Sequence, residues 1–315
     1  MTFVHQDPEF DRLLRIVAQD REIDVALVEK DYWVTHSLWA LHQTGLDLWF
    51  KGGTSLSKGF GLIQRFSEDL DLMIEPGSVP GMPRPGSVKN KKMAAVERRH
   101  AYFDALVGAM VIPDVQVERD RSRLDEQARG AEYLARYPGR YLGHLAPAML
   151  PFVKLEVGQA RVVPCVARPL GSFVHTYLET KGQLGAFSDN RPGSVRCVHP
   201  VVTLFEKLDA LMRRYPREVM EPDTFVRHYE DAAQIVRSID GLPDPGRTPA
   251  ELMQEMIESG DLQRAPTPEE PSLVLEDPEK RRKIAQAYVR ISPMYWGPRM
   301  GLEEACEVIR GWLGG

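Results

Sequence analysis

Cysteine is scarce in this chain of 315 residues: Cys165, Cys197 and Cys306 stand far apart, with no Cys-x-x-Cys spacing. Neither a zinc ribbon nor a disulfide framework is indicated, and a reducing cytoplasm is the compartment this cysteine usage suits. No run approaches the roughly 18 apolar residues of a membrane span. The start, Met-Thr-Phe-Val-His-Gln-Asp, lacks a basic segment followed by an apolar one, so neither export nor a membrane partner is expected. The eight histidines are scattered without His-Glu-x-x-His spacing, which argues against a zinc hydrolase. The phosphate loop Gly-x-x-x-x-Gly-Lys-Ser/Thr is absent, and Gly59-x-Gly61 falls inside a helical segment rather than forming a dinucleotide fingerprint. Neither sign of charge dominates: a formal charge of -5 argues against a generic nucleic-acid coat while leaving room for local basic clusters.

What is present is an ordinary globular composition, 43% hydrophobic and 27% charged, enough for one substantial domain and a smaller one. Asp7-Pro8 and the spacing of Phe10, Leu13, Leu14, Val17 and Ala18 predict a first helix. A second runs from about residue 24 to 43, with Val28, Tyr32, Val34, Leu38 and Leu41 facing inward and Gly45 ending it. Its Glu29-Lys30-Asp31-Tyr32 reads as a solvated face. After the motif region, 76–86 holds four prolines and three glycines and is a loop. Arg84, Lys89, Lys91, Lys92, Arg98 and Arg99 then open a helix reaching about residue 111, read either as a solvated face or as a surface for RNA phosphates. Short strands are expected at 115–118 and 132–137 and a stronger one at 150–157, with 162–167 pairing back on it through the turn at 158–161 and completing the sheet. From Pro200 onward the pattern is helical, with Glu206-Lys207 at the border of the apolar stripe of Val201, Leu204, Leu208 and Leu211. Further helices are expected after Pro222, at about 249–259, 278–289 and 302–313, with an aromatic loop at Tyr295-Trp296. The expected division is N-terminal helices over 1–45, a catalytic core over 46–170 and a helical region over 171–315.

The chemistry is stated between Leu48 and Glu75. Leu48–Phe50 reads as the end of a buried strand, Gly52-Gly53 as a turn, Thr54–Phe60 as the start of a helix and Asp69–Ile74 as a second strand. A glycine pair followed by Thr54 and Ser55 at a helix start offers unobstructed backbone N–H groups to phosphate oxygens. Asp69 and Asp71, two apart on a strand, point to one side, where two carboxylates are stable mainly with a divalent cation between them. Glu156, on the face of its strand shared with Phe152 and Lys154, is the candidate third carboxylate and is expected on the buried side. Lys58 and Lys51 add positive charge near a triphosphate. The order strand, Gly-Gly, helix, strand, Asp-x-Asp therefore reads as metal-assisted transfer from a nucleoside triphosphate (NTP).

Residues 29–74, with Glu-Lys-Asp-Tyr-Trp-Val, Phe-Lys-Gly-Gly-Thr-Ser-Leu-Ser-Lys and Arg-Phe-Ser-Glu-Asp-Leu-Asp-Leu, resemble the AbiEii/AbiGii-type nucleotidyltransferase toxins of the polymerase-beta-like nucleotidyltransferase superfamily. Thr-Leu-Phe-Glu-Lys-Leu-Asp-Ala-Leu at 203–211 and Arg-His-Tyr-Glu-Asp at 227–231 resemble that family's later motifs, so the similarity covers about 20–240. The resemblance implies an α/β (α+β) fold: a nucleotidyltransferase core with a mixed sheet, N-terminal helices and a C-terminal helical region. It places Gly52, Gly53, Thr54 and Lys58 in the first motif, Ser67, Asp69 and Asp71 in the second, and makes Lys207 and Asp231 the later lysine and aspartate. It also implies Mg2+ (or Mn2+) as cofactor, held by Asp69, Asp71 and Glu156, with an NTP as substrate. The implied acceptor is RNA, the tRNA 3′ end in some members, and an antitoxin encoded nearby is the implied partner in a toxin–antitoxin or phage-defence system. Lys207 would neutralise phosphate charge and Asp231 would position or deprotonate the acceptor. Two other readings stand beside this one: modification of a protein hydroxyl, with Ser67 a candidate for self-modification, and an NTP-binding module that acts by complex formation without turnover.

Overall fold

The computed structural model describes residues 1–315 apart from 68, 79–80, 83, 123, 147–148 and 218–221. Pro80 and Pro83 of the expected proline-rich loop, and Glu68 of the second motif, thus lie outside the described residues. The chain divides into two units, one made of Met1–Thr54, Glu68–Ala160 and Ala167–Cys197, the other of Ser55–Ser67, Arg161–Val166 and Val198–Gly315.

In chain order the main elements of the first unit are helices α1 (Phe10–Arg21) and α2 (Val25–Gln43), strands β1 (Leu48–Lys51) and β2 (Asp69–Ile74), and helix α3 (Met93–Ala109). Strands β3 (Gln116–Arg119), β4 (Gly130–Arg136), β5 (Val153–Gly158) and β6 (Cys165–Arg168), helix α4 (Phe173–Thr180) and strand β7 (Val195–Val198) follow, with Cys165 and Val166 of β6 and Val198 of β7 counted in the second unit. The seven strands form one mixed sheet in the order β3-β4-β5-β2-β1-β7-β6. β2 runs antiparallel to β1 and parallel to β5, while β1 and β7 are parallel. Alternation along the strands buries Leu48 and Phe50, Leu70, Leu72 and Ile74, and Val153, Leu155 and Val157 on one face. The same alternation leaves Asp69, Asp71, Lys154 and Glu156 on the opposite, half-exposed face.

The structure corrects the sheet expected from the sequence. β5 already has β2 on one side and β4 on the other, so no edge is left for 162–167 to pair with it. β6 instead lies at the far margin beside β7, a strand the helical reading of the later chain passed over. Glu156 is likewise on the open face, with 36% of its side chain exposed, rather than on the buried side.

A second correction concerns Glu29-Lys30-Asp31, which is buried and not solvated. Glu29 accepts from the backbone N–H groups of Arg140 and Tyr141, Lys30 donates to the Leu150 carbonyl, and Asp31 accepts from the Phe173 N–H. The charges of α2 thus meet loop backbone groups inside the protein, which lets the helix be buried nearly all round with these side chains hydrogen-bonded. Next to them His36 Nε2–H donates to the Pro113 carbonyl at 2.9 Å and Nδ1 accepts from the Asn190 amide at 2.8 Å. The same amide reaches the Tyr32 hydroxyl, and His175 donates to the Asn190 oxygen.

This arrangement needs a neutral His36 ring, and burial lowers its pKa from 6.5 to about 4. Below pH 6.5 the unfolded chain takes up a proton that folded His36 refuses, so stability falls with pH until about pH 4. At pH 5 the loss from this group is about 2 kcal/mol. Thermal melts of wild type and His36→Gln at neutral pH and at pH 5 should show a shallower acid slope in the variant, and equal slopes would refute the assignment.

The second unit contains helices α5 (Pro200–Arg214), α6 (Arg227–Arg237), α7 (Pro249–Ser259), α8 (Pro278–Arg290) and α9 (Leu302–Gly314). Their starts are chemically marked: His199 caps α5, Asp277 caps α8, and Thr248 with Glu251 forms a capping box on α7, each with proline in the first turn. α6 packs between α5 and α9. The expected aromatic loop is paired: Phe66 N–H donates to the Met294 carbonyl and Trp296 N–H to the Gln64 carbonyl, placing Arg65 opposite Tyr295.

Candidate active site

The first unit carries the carboxylates. Gly52 follows β1 with φ +74° and begins the helical turn Gly52–Thr54. A Cβ at this position would lie 1.8 Å from Asp71 Oδ2, so only glycine lets the turn approach the β2 carboxylate this closely. Gly53 and Thr54 are buried, and the Thr54 hydroxyl donates to the Asp69 carbonyl at 2.6 Å, fastening the turn to β2.

Strand register sets the rest. Asp71 lies opposite Lys51 on β1 and Glu156 on β5, and Glu156 lies opposite Glu132 on β4, so four ionisable side chains cross the sheet in one row. One step along, Asp69 is opposite Lys154. The Lys154 ammonium pairs with Asp69 Oδ1 at 3.4 Å and, more closely, with Glu156 Oε1. Burial works to lower the Lys154 pKa, but the charges of Asp69 and Glu156 outweigh it and hold the ammonium above its ordinary value. Along the row runs a groove of about 340 Å3 lined by Lys51, Asp71, Asp125, Glu132, Glu156 and Gln159 among others.

Asp69, Asp71 and Glu156 offer only hard carboxylate oxygens from register neighbours, a donor set that fits magnesium or manganese in kind. Among the described residues no three His, Cys, Asp or Glu side chains converge closely enough to hold an ion as they stand. The ammonium of Lys154 is the cation already bridging two of the three carboxylates.

The second unit carries the other candidates. Ser55 and Lys58 lie on a π-helical turn, Ser55–Gly59, Ser55 buried and Lys58 partly exposed, and Ser67 is buried. Lys207 is not at a helix border but buried, and its ammonium meets Asp231 Oδ2 at 2.6 Å. The other partner of Asp231 is one the sequence reading gave no role: Arg65, whose Nε and Nη2 donate to Oδ1 and Oδ2 at 2.8 and 2.7 Å. Desolvation would raise the Asp231 pKa, but the charges and hydrogen bonds of Arg65 and Lys207 hold it well below the usual carboxylate range. His228 beside them is kept neutral, first by burial of its ring nitrogens and then by the charges of Lys207 and Arg214.

Within the first unit the structure thus brings Gly52, Thr54, Asp69, Asp71 and Glu156 together, and within the second it joins Lys207 to Asp231. Lys154 and Arg65 are the residues the sequence reading missed. Lys154 shares the face of Glu156, and Arg65 stands two residues before Ser67, but a strand lysine and a loop arginine look like surface charges until their partners are known.

The family model for "Nucleotidyl transferase AbiEii toxin, Type IV TA system" matches residues 37–298. The chain belongs to this AbiEii family. Membership makes it a nucleotidyltransferase toxin of a type IV toxin–antitoxin system, a class that implies a nucleotide substrate and a cognate antitoxin. The matched span of the AbiEii chain holds both the Asp69/Asp71 strand and the Lys207/Asp231 pair; against the 20–240 covered by the motif resemblance it begins later, at 37, and ends later, at 298. No curated protein matches it. One solved structure that aligns with it is the crystal structure of JHP933 from Helicobacter pylori, at 15% identity and a TM-score of 0.45 over 92% of this chain and 90% of that one. Among the described residues no helix of this AbiEii chain is long and apolar enough to cross a membrane.

Proposed function

We propose that the protein transfers a nucleotide from an NTP to RNA, with the tRNA 3′ end as the foremost acceptor, acting as the toxin of a toxin–antitoxin or phage-defence pair. The observation that carries this reading is the close approach of the Gly52 turn to Asp71, with Asp69 and Glu156 on the same open face. Asp69, Asp71 and Glu156 would hold magnesium or manganese, which when bound neutralises charge on the triphosphate and on the leaving group. The backbone of Gly52, Gly53 and Thr54, with Ser55, Lys58 and Ser67, serves the triphosphate. Lys207 supplies positive charge. Asp231, with both oxygens engaged by Arg65 and Lys207, positions that lysine rather than removing a proton, because a carboxylate with so low a pKa is a weak base.

An RNA acceptor suits the exposed Arg84, Lys89, Lys91, Lys92 and Arg98 before and on α3. Arg99 is excluded from that surface: it is buried and donates to the carbonyls of Ser87, Asn90 and Gln127. The test is incubation with each α-labelled NTP, total tRNA and either magnesium or EDTA. Label in RNA only with the metal is expected. Label in protein instead would favour a hydroxyl acceptor such as Ser67, and no label in either with any NTP would overturn the enzyme reading.

A further inference from the structure

Lys154 has a position that transfer chemistry does not require of a lysine. Its side chain, 15% exposed, lies on the open face of β5 in register with Asp69, and its ammonium bridges Asp69 and Glu156. These are two of the three carboxylates assigned above to a divalent cation, and an ammonium and a metal ion drawn to the same carboxylate oxygens repel one another, so each weakens the other's hold. The charge count of the face points the same way. Asp69, Asp71, Glu156 and Glu132 set four negative charges on neighbouring register positions of β2, β5 and β4, against Lys154 among them and Lys51 at the β1 end. A row of carboxylates this dense is strained without a cation, and a lysine on a flexible four-carbon stem can supply one and then withdraw it.

We propose that Lys154 is a resident, displaceable cation: without nucleotide its ammonium holds Asp69 and Glu156 and competes with metal, and it releases them when a metal–nucleotide complex enters. Each charge keeps a partner of opposite sign through the exchange. The metal takes the carboxylates, and the displaced ammonium gains the triphosphate oxygens as its new partner. The site therefore loads metal together with nucleotide and resists metal alone. For a toxin this means that free magnesium does not by itself assemble the site. The proposal rests on the metal assignment above and adds to it how that site is loaded.

The test is Mn2+ titration of the nucleotide-free full chain, followed by the electron paramagnetic resonance signal of free Mn2+. Lys154→Met should bind Mn2+ at least about tenfold more tightly than wild type, since a competing unit charge within ion-pair distance is removed. Lys154→Arg, which keeps the charge, should stay near wild type, and Asp69→Asn placed on Lys154→Met should cancel the gain. Equal or weaker Mn2+ binding by Lys154→Met, or none, overturns the proposal. The label-transfer assay separates this result from the parent reading: transfer without a Lys154 effect on Mn2+ affinity removes only the present inference. A Lys154 effect without transfer to RNA or protein upholds the competition and removes the enzyme.

Discussion

Replacing Asp71 with asparagine is expected to lower nucleotide transfer by about a thousandfold while leaving the protein folded. Asparagine keeps the shape of the side chain, so the contact with the Gly52 turn persists, but it removes one of the charges a divalent cation needs. Folding should not suffer, because Asp71 is half-exposed and the attraction it loses to Lys51 opposite is set against relief of repulsion from Glu156 and Glu132 in the same row. The melting temperature of Asp71→Asn should therefore equal or slightly exceed that of wild type, and this separates a functional carboxylate from a structural one. Gly52→Ala approaches the same site from the other side. Its φ of +74° strains any L side chain, and its methyl group would occupy the space of Asp71 Oδ2. That variant should lose transfer and about 1–2 kcal/mol of stability as well. Retention of more than about a tenth of wild-type transfer by Asp71→Asn would sink the assignment, since loss of one essential electrostatic contact costs a hundredfold or more.

Asp231→Ala is expected to have the largest effect on stability, a loss of about 3–5 kcal/mol measured by urea denaturation. Asp231 is fully buried, and the side chains of Arg65 and Lys207 are only 4% and 9% exposed, so removing the carboxylate takes from two buried cations the anion they share. A buried pair is hard to break for this reason, whatever its net contribution against an apolar replacement. The pH dependence has a definite sign. With the folded pKa held below the ordinary carboxylate value, the stabilisation is complete above that value and is lost only as the pH falls through the folded one. This lies at more acidic pH than the window of His36, so the two contributions separate in a pH series of melts. Asp231→Ala/Arg65→Met/Lys207→Met, which replaces the cluster by apolar groups, should recover much of the loss in stability. Failure of the triple variant to recover would mean that the three charges contribute through contacts other than those with one another.

The local elements were legible in the chain because their signals are local. The inward set of α2, the proline starts of α5, α7 and α8, and the alternation of Val153, Leu155 and Val157 each depend on neighbours within a few residues. The Gly-Gly turn and the Asp-x-Asp strand were legible for the same reason, and with the stretches at 29–34, 203–211 and 227–231 they carried the resemblance to the family. Partners distant in sequence were not legible. Whether 162–167 returned to β5 depended on both edges of β5 being filled by β2 and β4, which no stretch of its own residues records. Glu29, Lys30 and Asp31 read as solvent-facing because their partners are backbone groups at Arg140, Tyr141, Leu150 and Phe173.

The chain by itself therefore determined which residues carry charge and where the glycine turn and the paired carboxylates fall. Tertiary structure decided which charges answer one another. It set Lys154 between Asp69 and Glu156, and Arg65 with Lys207 on Asp231, because an ion pair is fixed by distance in space and by exclusion of water, neither of which is written in local sequence.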